Sequence, residues 1–241
     1  MTWWSLLGSG EFQPWSEAAD RWLLGRVDGD GTVLILPTAA APEGDAVFET
    51  WATMGLEHFA TMGIPAEVLP LKGRADAEQP ALADRLDDAS VVYFSGGNPA
   101  YLAATLAGTP FWARLLERLD EGMGYAGCSA GVASLTEQTF DGTAVTLEDV
   151  FRPGLGLIRK TVFAPHWNIV DTWVPGAAEF IVDAVPDGYV FVGLDEDTAM
   201  LGDGTEWEVA GKSAIHVRRD GEWTSHRNGD RFELPLEGGS G

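Results

Sequence analysis

A chain of 241 residues, 45 % of them hydrophobic, is long enough to bury one sizeable core and too apolar to stay unfolded. Its net charge of −22 would repel nucleic acid and anionic membranes alike, which argues against both as partners. The single cysteine, Cys128, excludes an intrachain disulfide and a cysteine-based metal cluster.

The opening Met1-Thr2-Trp3-Trp4-Ser5-Leu6-Leu7-Gly8 lacks the basic region and long apolar core of a signal peptide, and no apolar run approaches a membrane span. A cytoplasmic location is expected. Residues 2–8 read as a first strand that ends in Gly8-Ser9-Gly10-Glu11-Phe12, and 16–25 as a helix stopped by Gly25. The continuous apolar run 32–37 reads as a strand buried on both faces. A long helix over 45–62 follows, with Phe48, Trp51, Phe59 and Met62 near one stripe. Next come a short strand over 66–70 and a helix over 75–86. Residues 90–94 form another buried-type strand, which ends at Ser95-Gly96-Gly97-Asn98-Pro99 and leads into two helices, the second over 110–119.

The most informative stretch is Gly124-Tyr125-Ala126-Gly127-Cys128-Ser129-Ala130-Gly131. It is G-x-S-x-G at the junction of a small-residue strand and an apolar helix. A turn that sharp strains the serine backbone, lifts its hydroxyl clear of the chain and points the first helix N–H groups at an attacked carbonyl. Cys128 occupies a flanking position and is expected to point into the packing.

Beyond the elbow the character changes. Residues 139–153 are loop-like and acidic, 161–164 form a short strand ending at Pro165-His166-Trp167-Asn168, and 177–184 are helical. From Gly188 the chain alternates, with hairpin turns at Gly202-Asp203-Gly204 and Arg219-Asp220-Gly221-Glu222. The expected fold is α/β: a mainly parallel sheet with helices on both faces and a small antiparallel C-terminal addition. A single domain over 1–235 and a flexible tail over 236–241 are expected, with no internal repeat. In such sheets ligands lie beyond the carboxyl ends of the strands. The turns at Gly8-Ser9-Gly10, Gly96-Gly97-Asn98 and Gly127-Cys128-Ser129 share that edge.

A serine hydroxyl needs a base to become a nucleophile at neutral pH. Of the four histidines, His58 sits in an amphipathic helix, His216 in an alternating strand and His226 in the polar end region, all reading as surface or packing residues. His166 follows a short apolar strand and so belongs to the edge that carries Ser129. A carboxylate should orient its ring. Glu137, Asp141, Glu148 and Asp149 lie between elbow and histidine, and position alone does not choose among them. The N–H groups of Gly97 and Ala130 would form the oxyanion hole. No metal and no cofactor are expected: the histidines are scattered, there is no P-loop, and Gly8-Ser9-Gly10 lacks the rest of a dinucleotide fingerprint.

Five ordered motifs resemble the peptidase E and cyanophycinase serine peptidases, whose fold is that of the class I glutamine amidotransferases. They are Leu6-Leu7-Gly8-Ser9-Gly10-Glu11, Phe94-Ser95-Gly96-Gly97-Asn98, Gly127-Cys128-Ser129-Ala130-Gly131, Gly154-Leu155-Gly156-Leu157 with Pro165-His166-Trp167, and Gly193-Leu194-Asp195-Glu196-Asp197-Thr198-Ala199. The resemblance implies Ser129 as nucleophile, His166 as base, and Gly97 and Ala130 as oxyanion donors. It ranks Asp141 first as the acid, with Glu137 nearer the cyanophycinase pattern. Gly96, Asn98, Trp167 and Glu196 are expected to border a short peptide or amide substrate, and a homodimer is left open. Two departures bear on specificity. Residues 161–200 contain no Lys or Arg, so recognition of an N-terminal aspartate would require Arg152, Arg159 or Lys160 to fold in. Ala164 and Pro165 also stand where cyanophycinases place an aspartate or similar residue before the histidine. An amide-hydrolysing relative that acts on a metabolite, a glutamine amidotransferase among them, and a non-catalytic binding protein are the rival readings. Serine rather than cysteine at the elbow centre argues against an amidotransferase.

Overall fold

The computed structural model describes residues 2–238, the side chain of Glu148 excepted. Five strands build the parallel part of an eight-stranded sheet: β1 (Trp4–Leu7), β2 (Val33–Leu36), β3 (Ala66–Val68), β4 (Val91–Phe94) and β5 (Gly124–Cys128). The hairpin β6 (Gln138–Phe140) with β7 (Phe151–Pro153) follows, then β8 (Ile158–Arg159), β9 (Thr161–Pro165), β10 (Val190–Leu194) and β11 (Thr198–Gly202). The chain closes with β12 (Glu206–Gly211), β13 (Ala214–Arg219), β14 (Glu222–Arg227), β15 (Arg231–Glu233) and β16 (Glu237–Gly238).

The large sheet runs β15-β12-β11-β1-β5-β4-β2-β3. β1, β5, β4, β2 and β3 are parallel, and β11, β12 and β15 add antiparallel. A second sheet, β14-β13-β10-β9, joins β9 to β10 in parallel and the rest antiparallel. The C-terminal strands therefore divide: some lengthen the main sheet and some make a sheet of their own. β10 and β11 are consecutive yet lie in different sheets, so the turn between them bridges the two.

Side chains alternate along each doubly buried strand, as a two-residue period requires. Leu6, Leu34, Leu36, Val92, Phe94 and Tyr125 face one core, and Leu7, Val33, Ile35, Val91, Tyr93 and Ala126 the other. The helices α1 (Glu17–Leu24) and α2 (Asp45–Met62) cover the second face through Ala19, Leu23, Phe59 and Met62. The short helices α3 (Arg74–Ala77) and α4 (Pro80–Ala83) join α5 (Pro99–Leu106) and α6 (Pro110–Asp120) on the first face. There the inner side of the second sheet also packs, through Phe163, Val192, Ile215 and Val217. Both α5 and α6 have a polar cap followed by proline at the first position. Asn98 Oδ1 accepts the Tyr101 N–H at 3.0 Å, and Thr109 Oγ1 accepts that of Trp112 at 3.2 Å. The single helix expected over 75–86 is three pieces, because Pro80 cannot donate into a helix that began at Arg74. The expected loop over 139–153 is closed by β6 and β7. The tail expected from 236 onward is paired at its start: β16 lies antiparallel to β8, and Lys160 Nζ holds the Glu237 carboxylate at 3.0 Å. Residues 239–241 lie outside the described residues. Among the described residues no helix is long and apolar enough to cross a membrane.

Candidate active site

β5 runs straight into the four-residue helix α7 (Ala130–Ala133), and Ser129 sits at the join with φ 50° and ψ −103°. That backbone is costly for a residue with a Cβ, on the order of 1–3 kcal/mol, and persists only where its surroundings enforce it. Here they do. The Ser129 N–H donates to Leu7 O at 3.0 Å, while its carbonyl accepts from Val132 and Ala133. The flanking glycines permit the approach: a Cβ on Gly127 would lie 2.6 Å from Gly131 O, and one on Gly131 would lie 2.5 Å from Phe94 O. The Tyr125 hydroxyl donates to Gly131 O at 2.6 Å and locks the turn from below.

His166 follows β9 in a left-handed conformation, φ 56° and ψ 28°. Its Nε2 lies 2.9 Å from Ser129 Oγ, and its Nδ1 lies 3.1 Å from Glu196 Oε1. A carboxylate only accepts, so Nδ1 carries the proton and Nε2 is free to take one from the serine. The Glu196 contact follows from topology. β9 and β10 are parallel with Pro165 opposite Leu194, so the residues just beyond both strands emerge at one edge. The turn that carries Glu196 is pinned on both sides: its own N–H donates to Asn168 Oδ1 at 2.9 Å, and that of Asp197 to Ser9 Oγ at 3.1 Å. The His166 ring also rests 4.8 Å from that of Trp173 in α8 (Val170–Trp173).

Two backbone N–H groups border the same cavity as the serine, those of Ala130 and Gly97. The Ala130 N–H is first in its helix and has no intrahelical acceptor. Gly97 has φ 140°, and a Cβ there would lie 2.3 Å from Ala39 O, so only glycine fits this turn. Its N–H donates to no group among the described residues. A residue that sequence reasoning gave no role holds the turn in place. Glu11 is buried, its Oε1 accepts the Gly96 N–H at 2.7 Å, and its Oε2 accepts the Cys128 thiol at 2.8 Å. Burial, then the Glu11 charge, pushes the Cys128 thiol well above its ordinary range, so it stays protonated and inert. Cys128 points into the packing, as its position in the elbow predicts.

Several expected site residues stand elsewhere. Asp141 does not reach His166. Its Oδ1 accepts from the Thr143 hydroxyl (2.6 Å), the Thr143 N–H (3.0 Å) and Asn98 Nδ2 (3.2 Å), and Arg152 lies 3.6 Å from the other oxygen. Those bonds, Thr143 foremost, hold its carboxyl below the usual range. Glu137 is taken up by the Lys160 N–H and the Tyr189 hydroxyl. Asp149 accepts from Thr146, and the side chain of Glu148 lies outside the described residues. Glu196, expected against the substrate, faces the histidine instead. Asn98 is spent as a helix cap and on Asp141. Trp167 turns away to pack on Gly193, Phe191 and Trp223. Gly96 does line the site, 3.5 Å in Cβ terms from Ser129 Cβ. A search confined to residues between elbow and histidine could not find Glu196. The signal was the Gly193–Ala199 motif itself, which places an acid just beyond a strand.

Ser129 and His166 open onto a cavity of about 710 Å³, bordered also by the Gly96-Gly97 turn, the β6–β7 hairpin, α8 and α9 (Ala177–Asp183). A volume of this order suits a small ligand or a few residues of a peptide. An activated hydroxyl, a base held in one tautomer and two free N–H groups beside one cavity are what acyl transfer requires.

The family model for peptidase family S51 matches residues 5–210. A cyanophycinase from Synechococcus elongatus is 28 % identical over 215 residues, covering 83 % of this chain and 63 % of that protein. One from Nostoc sp. (strain PCC 7120) is 26 % identical over 196 residues, 77 % of this chain and 62 % of that one. The chain thus spans less than two thirds of the length of these relatives. Among solved structures, a peptidase from an acI-B1 Actinobacterium superposes with a TM-score of 0.87 at 29 % identity over 97 % of both chains. A protein from Listeria monocytogenes EGD-e, 17 % identical, shares the fold with a TM-score of 0.60 over 94 % of this chain and 98 % of its own.

Proposed function

The chain belongs to peptidase family S51, and on that premise we propose that it is a serine peptidase that hydrolyses short peptides through an acyl-enzyme. The observation that carries this reading is the relay Ser129 Oγ–His166 Nε2 at 2.9 Å and His166 Nδ1–Glu196 Oε1 at 3.1 Å, set on a strained elbow.

In this reading Ser129 Oγ attacks the scissile carbonyl while His166 Nε2 takes its proton. Glu196 holds the Nδ1–H and stabilises the imidazolium that forms. The carbonyl oxygen gains charge between the Gly97 and Ala130 N–H groups, and each such donor is worth roughly 3 kcal/mol in the transition state. His166 returns its proton to the leaving amine, the C–N bond breaks, and the amine departs. Water, deprotonated by the same imidazole, then releases the acyl group and restores the Ser129 hydroxyl. No cofactor enters any step. Glu11 supports the site from behind by tying the Gly96 N–H to the elbow through Cys128.

The test is the intact mass of the purified full chain after exposure to a small alkyl fluorophosphonate, beside Ser129→Ala. The expected result is one adduct on the parent and none on the variant, followed by turnover of dipeptides by the parent alone. An adduct retained in Ser129→Ala, or a folded parent that takes none, would overturn the reading.

A further inference from the structure

The cavity in front of Ser129 is apolar beyond what a peptide backbone needs. Phe140, Leu147 and Ile181 line its walls. Its rim carries Val145, Trp173 and Val174, exposed to 97 %, 59 % and 45 %. These are three of the five large hydrophobic side chains that lie exposed among the described residues, so exposed apolar surface is concentrated at this mouth.

The charges around the cavity point the same way. Among the described residues no lysine or arginine lines it, and besides His166 its titratable groups are Glu11 and Asp141. Glu11 is engaged through both oxygens, by the Gly96 N–H and the Cys128 thiol; Asp141 is engaged through Oδ1, by Thr143 and Asn98, and its Oδ2 faces the Arg152 guanidinium at 3.6 Å. The cations that could have entered are held outside. Arg152 donates to Asp149 O and Phe151 O and lies against Asp141; Arg159 is drawn to Glu137, and Lys160 to Glu237. An acidic side chain would give up its water for a site with two carboxylates and no cation. A basic one would lose hydration to meet a Glu11 already paired through both oxygens and an Asp141 that already faces the Arg152 cation. An aliphatic or aromatic side chain loses nothing and leaves water.

We infer that the preferred peptide carries an apolar side chain, aliphatic or aromatic, on a residue flanking the scissile bond, and that acidic and basic side chains are rejected there. This inference rests on the serine peptidase reading. It assigns the walls from β6–β7 and α8–α9 to specificity, and it makes Val174 a residue from which specificity can be changed.

The experiment measures the rate of Ser129 phosphonylation by a small alkyl fluorophosphonate on the full chain, with dipeptides as competitors. The set is Leu-Ala, Ala-Leu, Phe-Ala, Asp-Ala, Ala-Asp, Arg-Ala, Ala-Arg and β-aspartylarginine. Their terminal charges are common to the α-linked members, so the side chain alone separates these. Apolar members should halve the labelling rate at concentrations at least about tenfold lower than charged ones, a margin of the size that pocket fit supplies. Equal protection by all members, no protection by any, or better protection by an acidic or basic member overturns the inference. No labelling of Ser129 overturns the reading beneath it, which separates the two failures. In Val174→Arg a cation joins the rim. Asp-Ala or Ala-Asp should then protect about tenfold better than on the parent, and an unchanged order of competitors would count against the cavity as the side-chain site.

Discussion

Two sets in which a histidine bridges a serine and a carboxylate are found among the described residues, and their carboxylates are neighbours in sequence. Ser129, His166 and Glu196 form one. Ser225, His216 and Asp195 form the other, with His216 Nδ1 2.9 Å from Ser225 Oγ and His216 Nε2 3.2 Å from Asp195 Oδ2. The functional groups match and the distances are alike, although the two ring nitrogens exchange partners, yet the surroundings are opposite. Ser129 stands on a strained elbow at a cavity with free N–H groups beside it. Ser225 is an exposed residue of the regular strand β14, directly across from His216, and none of its set borders the Ser129 cavity. Asp195 is buried and also ties Ser213 Oγ (2.5 Å) and the Ala214 N–H (3.2 Å) to the turn that aims Glu196. A hydrogen-bonded trio is therefore not what makes a site. Under the proposed mechanism, the strained elbow, the neighbouring N–H groups and the cavity are what separate the two sets.

The largest effect expected from this contrast is on the two serines. Ser129→Ala should lower kcat by about 10⁶-fold, the scale on which a nucleophile matters, whereas Ser225→Ala should leave dipeptide turnover within about twofold, the scale of a surface change away from the chemistry. Steady-state rates for both variants decide it, and a large loss in Ser225→Ala would break the distinction.

The carboxylates come next. Glu196→Gln should cost about 10⁴-fold in kcat, because an amide no longer enforces the Nδ1–H tautomer, with the near-UV circular dichroism unchanged. Asp141→Asn should keep kcat within about tenfold, since it loses support for a loop rather than for the histidine. If Asp141→Asn proved the more damaging of the two, the acid would have been misassigned.

The smallest effect is on stability. Burial alone would raise the Asp195 carboxyl, but the His216 and Ser213 hydrogen bonds, with the His216 charge and the Ala214 N–H, outweigh it and hold the group below its ordinary value. A depressed folded-state pKa contributes stability above the unfolded-chain value, about 3.9, which is lost as pH falls through the folded one. Urea midpoints should therefore drop below about pH 4 in the parent, and Asp195→Asn should be less stable at neutral pH with a flatter acid limb. An acid limb as steep in the variant as in the parent would remove Asp195 from this role.

Much of the site was legible along the chain because its rules are local. G-x-S-x-G encodes a steric fact about one turn, which Gly127 and Gly131 satisfy through contacts with each other and with the neighbouring strand. His166 was legible because strand ends in a parallel sheet share an edge. The Gly96-Gly97 turn was legible for the same reason, although the need for glycine at 97 comes from Ala39, some sixty residues away. The partner of His166 was not legible by position. Asp141 sits where a carboxylate was sought, but an Asx-type turn onto Thr143 absorbs it first. Trp167 looked like a residue of the site because it follows the histidine, and the turn after His166 sends it to the opposite side, against Phe191.

The amino-acid sequence by itself determined the strand order of the parallel core along the chain, the sharp turn at the serine and the strand-end position of the histidine, because periodicity, capping and close approach act over a few residues. Only the tertiary structure decided that Glu196 hydrogen-bonds His166, that Glu11 braces the Gly96-Gly97 turn, and that among the described residues no lysine or arginine lines the cavity beside Ser129. Each of these depends on which strand lies beside β9, which carboxylates are already hydrogen-bonded and where the arginines are drawn. Such pairings are set by long-range packing, where one parallel register brings together residues thirty positions apart.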